Sequence, residues 1–97
     1  MDINKSLGKA IRQARHAKGF SQEDFSVVSS RTYLSTLERG LKSPTIEKLD
    51  AIAGLLGIHP VTLIALAYSQ SSRGKRLDKL IERVSREINE ILDTPDS

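Results

Sequence analysis

The sequence predicts an all-α chain, with five short helices forming one compact domain and a sixth, amphipathic helix appended behind them. Two observations carry this reading. Apolar residues recur at spacings of three and four along nearly the whole chain, the interval that places side chains on one face of a helix. Four of the segments so defined open at serine, threonine or proline and three close at glycine, the residues that start and stop helices. A length of 97 residues suits a single domain plus one further element, so residues 1–70 are expected to form the domain and residues 71–97 a packing or dimerisation element. Cysteine is absent, which excludes a disulfide framework, a thiolate metal site and a thiol nucleophile.

Ile3, Leu7, Ala10, Ile11 and Ala14 define a first helix from about Ile3 to Lys18, stopped at Gly19, where glycine accepts the left-handed conformation. Ser21 then stands as an N-cap with Asp24 in the place of the capping-box acid, predicting a short second helix from Gln22 to Val28. Ser30 caps a third, from Arg31 to Arg39, with Leu34 and Leu37 for burial and Gly40 as its stop. Pro44 and Thr45 introduce a fourth through Ile46, Leu49, Ile52, Ala53 and Leu56, closed by Gly57, and His59-Pro60 opens a fifth through Leu63, Ile64 and Ala67. The polar stretch Ser69 to Gly74 reads as a joint. Beyond it Leu77, Ile81, Val84, Ile88 and Ile91 alternate spacings of four and three, a heptad-like seam of about two heptads that is expected to pack between subunits or back onto the body.

Charge is unevenly placed. The net charge is +3, and residues 1–40 hold seven Lys/Arg against four Asp/Glu, whereas the rest of the chain is balanced. A local cationic surface of this kind is the electrostatic footprint of phosphate binding. The two short helices within Ser21 to Gly40, joined by a tight turn, leave one side of the second uncovered: Arg31, Thr32, Ser35, Thr36 and Arg39. The major groove of duplex DNA is wide enough to admit such a helix.

Four motifs in register make the resemblance specific. Ser21-Gln-Glu-Asp-Phe25, Ser30-Arg-Thr-Tyr-Leu34, Leu37-Glu-Arg-Gly40 and Ser43-Pro-Thr-Ile46 resemble the Xre family, the Cro and phage-repressor type of helix-turn-helix, over about residues 5–67. The resemblance implies a lambda-repressor-like five-helix domain that binds double-stranded DNA and regulates transcription, as a repressor and as a homodimer on a near-palindromic operator. It also implies roles for individual residues: Arg31, Thr32, Ser35 and Thr36 would face the bases, and Gln22, Tyr33, Arg39 and Lys42 would grip the phosphates. Arg15 and Glu38 would form a scaffold ion pair between the first and third helices, and Leu77, Ile81, Val84, Ile88 and Ile91 are the candidate dimer interface. One departure is visible, because between Phe25 and Arg31 the chain has two residues fewer than the family pattern and lacks its glycine. Either the second helix is clipped or the turn is tighter.

Other function classes find little footing. The two histidines, His16 and His59, belong to no metal-ligand spacing, and no glycine-rich phosphate loop follows a strand, so neither an enzyme, a metal site nor a cofactor is expected. Leu63, Ile64 and Leu66 read as core, and no small-molecule effector is indicated. Arg73 and Lys75-Arg76 could extend a basic arm, but the alternating signs that follow read as a solvated helix. With no apolar leader and no membrane-spanning run, a soluble, cytoplasmic protein is expected. The alternative is a protein-interaction module, or an antitoxin component, that keeps the fold without binding DNA strongly.

Overall fold

The structure, a computed structural model, describes residues 2–70 and 76–95. All regular structure among them is helical: α1 (Ile3–Ala17), a single 3-10 turn (Glu23–Phe25), α2 (Arg31–Glu38), α3 (Ile46–Leu56), α4 (Pro60–Ser69) and α5 (Leu77–Asp93). The sixfold order of helical elements matches the sequence expectation, with one element reduced. The expected helix from Gln22 to Val28 is only the 3-10 turn, followed by non-helical turns. The Ser21–Asp24 capping box does form, with the Asp24 amide donating to Ser21 Oγ (3.2 Å) and the Ser21 amide to Asp24 Oδ2 (2.7 Å). What cuts the helix short is the connection, since the chain must place Phe25 in the core and reach the Ser30 cap within five residues. Arg73, Lys75 and most of the Ser69 to Gly74 joint lie outside the described residues.

Helix starts follow the local chemistry. The Asp2 carboxylate accepts from the amides of Asn4 and Lys5, Ser30 Oγ from that of Tyr33, Thr45 Oγ1 from that of Lys48 and His59 Nδ1 from that of Val61. Each cap satisfies one or two amides that the first helical turn leaves unpaired. Ile11, Phe25, Leu34, Leu37, Ile52 and Leu63 are fully buried in one cluster completed by Leu49, Ala53 and Leu56. Phe20 meets Phe25 edge to face at 5.8 Å. Three residues of the apolar pattern in this body stay exposed: Ile3 at the start of α1, Ile46, which overhangs the core at the first residue of α3 and is 84% exposed, and Ile64 on α4. Ile64 was expected in the core with Leu63 and Leu66, but of these three only Leu63 is fully buried and Leu66 is half-buried.

α1 is the spine, packing against both α2 and α4. Its approach to α2 requires Gly8. A Cβ on this residue would collide with the main-chain oxygens of Leu37 and Glu38, neither of which can move without unwinding the end of α2. Gly40, at φ +74°, reverses the chain directly after α2, and a Cβ there would stand 2.7 Å from the Lys5 Cα. Gly8→Ala should therefore destabilise the domain by about 1–3 kcal/mol or more, the range for an overpacked contact. Chemical denaturation measures it, and a loss below half a kcal/mol would mean that the two helices do not approach as described.

α5 differs from the rest in contributing no buried residue. Leu77 and Ile81 line an apolar groove with Val61, Thr62, Ala65 and Leu66 of α4. Farther along, Val84, Ile88 and Ile91 are 40%, 50% and 71% exposed. The polar side carries the i,i+4 pairs Arg83–Glu87 (3.3 Å) and Arg86–Glu90 (4.0 Å), which add only tenths of a kcal/mol each. Among the described residues no single helix is long and apolar enough to cross a membrane.

Candidate nucleic-acid interface

The uncovered side of α2 is set by what its other side buries. Leu34 and Leu37 enter the core, which turns Arg31, Thr32 and Arg39 outward, all exposed, with Ser35 and Thr36 half-buried at the flanks. Thr36 Oγ1 donates to the Thr32 carbonyl (2.8 Å). Its hydroxyl proton is thus spent within the helix, and its lone pairs remain as acceptors. Ser35 lies in a polar cleft between α1 and α2 together with Arg12, Arg15, Gln22, Glu38 and Arg39.

At the floor of this cleft Arg15 and Glu38 form a two-point ion pair. Arg15 Nε donates to Glu38 Oε2 (2.7 Å) and Nη2 to Oε1 (3.0 Å), with the two side chains only 9% and 4% exposed. The third donor, Nη1, reaches the Phe20 carbonyl (3.0 Å), and the Gln22 side-chain amide donates to Glu38 Oε1 (3.1 Å). A buried ion pair is retained at little cost only when its remaining donors and acceptors are also bonded. Here four hydrogen bonds join α1, the Phe20 to Gln22 segment and the last turn of α2. Gln22, expected as a phosphate contact, is held inward by Glu38, and a second amide hydrogen is left for an outside acceptor. Arg12 and Arg39, both exposed, make the mouth of the cleft cationic.

Tyr33, on the flank of α2, is half-buried and lies beneath the Lys48 ammonium, while Lys42 is exposed beyond Gly40. Of the base-facing and phosphate-facing candidates, Arg31, Thr32, Arg39 and Lys42 stand free in solvent, whereas Gln22, Tyr33, Ser35 and Thr36 are partly covered. Sequence reasoning did not single out Arg12 or Lys48. Arg12 carried a signal, lying three residues before Arg15 on the same side of α1. Lys48 carried none, because its neighbours come from segments 15–20 residues earlier. His59 serves as the cap of α4, and His16 is exposed.

An eight-residue helix with a buried apolar side, exposed Arg31 and Arg39 on the other and a rigid tie to the body has the form of the second helix of a helix-turn-helix, and the fold around it defines a DNA-binding helix-turn-helix regulator. Known proteins place the chain more closely. The family model for the helix-turn-helix matches residues 11–63. The HTH-type transcriptional regulator y4dJ of Sinorhizobium fredii (strain NBRC 101917 / NGR234), itself uncharacterized, is 39% identical over 66 residues, covering 66% of this chain and 86% of that protein. The control protein C.BamHI of Bacillus amyloliquefaciens is 33% identical over 66 residues, covering 65% of this chain and 82% of that protein. Among solved structures, the clp gene regulator ClgR from Corynebacterium glutamicum is similar with a TM-score of 0.69 at 26% identity, over 88% of this chain and 93% of that one. The chain belongs to the Xre family of helix-turn-helix transcriptional regulators, a non-enzymatic DNA-binding class.

Proposed function

We propose that this regulator is a cytoplasmic repressor that binds a near-palindromic operator as a homodimer, with one α2 in each of two successive major grooves about 34 Å apart. The observation that carries the reading is the open side of α2, where Arg31, Thr32 and Arg39 are exposed while the opposite side is locked to α1 through Arg15 and Glu38. In this reading Arg31 reads a guanine edge through two hydrogen bonds, and Thr32, Ser35 and Thr36 supply further base contacts. Gln22, Tyr33, Arg39 and Lys42 hold the phosphates that fix orientation but carry no sequence information. Relatives named as a transcriptional regulator, a control protein and a gene regulator support the regulatory role. In this reading repression works by occupancy, because a body of 46 × 31 × 23 Å lying on the duplex keeps other proteins off the same site.

Dimerisation follows from the limited reach of one short helix. A single α2 meets few base pairs, whereas two coupled copies multiply their discrimination. The seam of Leu77, Ile81, Val84, Ile88 and Ile91 supports α5 as the interface. A 17-residue helix is marginal alone in water, and covering this apolar stripe would stabilise it.

Selection of bound sites from random duplexes, followed by substitution, tests the base reader. Arg31→Ala should cost about 1–3 kcal/mol on the selected site and relax preference at one position. Arg39→Ala should weaken all duplexes alike and lower the salt slope by about one. An Arg31→Ala variant that selects the same sequences with the same stringency would remove Arg31 from the base-reading set.

A further inference from the structure

Lys48 stands in the first turn of α3, yet its side chain reaches back to the element that faces DNA. Its Nζ donates to the main-chain carbonyl of Val28, in the turn before α2, and lies 5.7 Å from the centre of the Tyr33 ring, in the first turn of α2. Among the described residues no main-chain amide donates to the Val28 carbonyl. The clipped 3-10 turn leaves that oxygen without the helical partner a longer second helix would provide, and a half-buried acceptor left unbonded is costly. Lys48 supplies the donor. A cation within about 6 Å of an aromatic face is attracted to it, so the same ammonium also draws the start of α2 toward α3.

The two ends of α2 are thus held by different means. The last turn is fixed to α1 by the Glu38 carboxylate and the close approach at Gly8, while the first turn has the Ser30 cap and Lys48. We propose that Lys48 is a positioning residue, which sets the N-terminal end of α2 against the body and thereby the base edges that Arg31 and Thr32 meet. It acts through Val28 and Tyr33 rather than by touching DNA. This inference rests on the DNA-binding reading for its consequence, but the clamp itself is a property of the free protein.

Two variants and two measurements test it. Lys48→Met keeps the aliphatic stem and removes the donor, whereas Lys48→Arg keeps a cation that can restore the bond. In the free protein, amide exchange across residues 28–34 should accelerate about tenfold or more in Lys48→Met, the scale of a lost hydrogen bond to a charged group, and less in Lys48→Arg. Protection in α1 and α4 should stay unchanged, which verifies that the variant is folded. On DNA, the preference of Lys48→Met for a wild-type-selected duplex over a scrambled one should fall about tenfold by the same reasoning, with scrambled-duplex affinity and its salt slope unaltered. Unchanged exchange across residues 28–34 would overturn the clamp. Equal loss on both duplexes with a shallower salt slope would overturn it in favour of a direct phosphate contact. A wild-type protein that bound no duplex would instead sink the DNA reading and the consequence for base contact, while the exchange comparison would still decide the clamp.

Discussion

Replacing Glu38 by alanine should lower folding stability by about 3–5 kcal/mol, because it strands the Arg15 guanidinium in a site where that side chain is only 9% exposed. The loss exceeds that of an ordinary ion pair for a structural reason. Arg15 cannot swing into water without releasing the Phe20 carbonyl, and the Gln22 amide loses its acceptor in the same step. Gln22→Ala provides the internal comparison, since it removes one hydrogen bond and leaves the ion pair intact, for about 1 kcal/mol. Urea unfolding of the two variants should separate them clearly. A Glu38→Ala cost no greater than that of Gln22→Ala would show that the pair adds nothing beyond its individual bonds.

The second large effect belongs to α5. Substituting glutamate at both Val84 and Ile88 should split the proposed dimer, because it places two charges in the stripe that would face the other subunit. Ile81 is left untouched since it also lines the groove against α4. Affinity for a duplex with two half-sites should fall about 10²–10⁴-fold, the usual gain from tethering two binding modules. Binding to a single half-site should not change. Light scattering should report the mass of one chain, and a doubly substituted protein that kept the mass of two would exclude α5 as the interface.

The outline of the fold was legible because caps and stops are local. Ser30, Thr45 and His59 begin their helices and Gly19, Gly40 and Gly57 take positive φ, as the residue types alone suggest. The second helix was misjudged for a reason equally local in origin but not in outcome. Its capping box forms, yet a favourable start does not guarantee length when the next buried residue and the next cap lie so near. Ile46 follows the helical period and still escapes burial, because periodicity gives the face of a helix and not how far the core extends along it. Gly8 and Lys48 were invisible as well. The first matters for oxygens some thirty residues away and the second for a carbonyl twenty residues away, and no spacing rule spans such distances.

For the site, the expected ion pair between Arg15 and Glu38 does form, and the side of α2 expected to be uncovered leaves Arg31, Thr32 and Arg39 exposed. The sequence did not distinguish the side chains standing clear of the surface from those already engaged. Gln22 is the plainest case, since an exposed-looking amide at the start of an element turns out to be bonded to the buried carboxylate. Whether a polar group is spoken for depends on neighbours brought together only by folding.

The division of labour within α2 bears on how such a protein diversifies. Leu34, Leu37, Glu38 and the oxygens pressed against Gly8 anchor the helix on its inner side and at its last turn, and Tyr33 with the Ser30 cap holds its first turn, while the Arg31 and Thr32 side chains make none of these contacts. The outer positions can be exchanged with scarcely any penalty in thermal robustness. If Arg31 and Thr32 read bases as proposed, new target preferences are accessible by single codon changes, and a lineage carrying this scaffold can drift among recognition sequences without first acquiring compensating repairs.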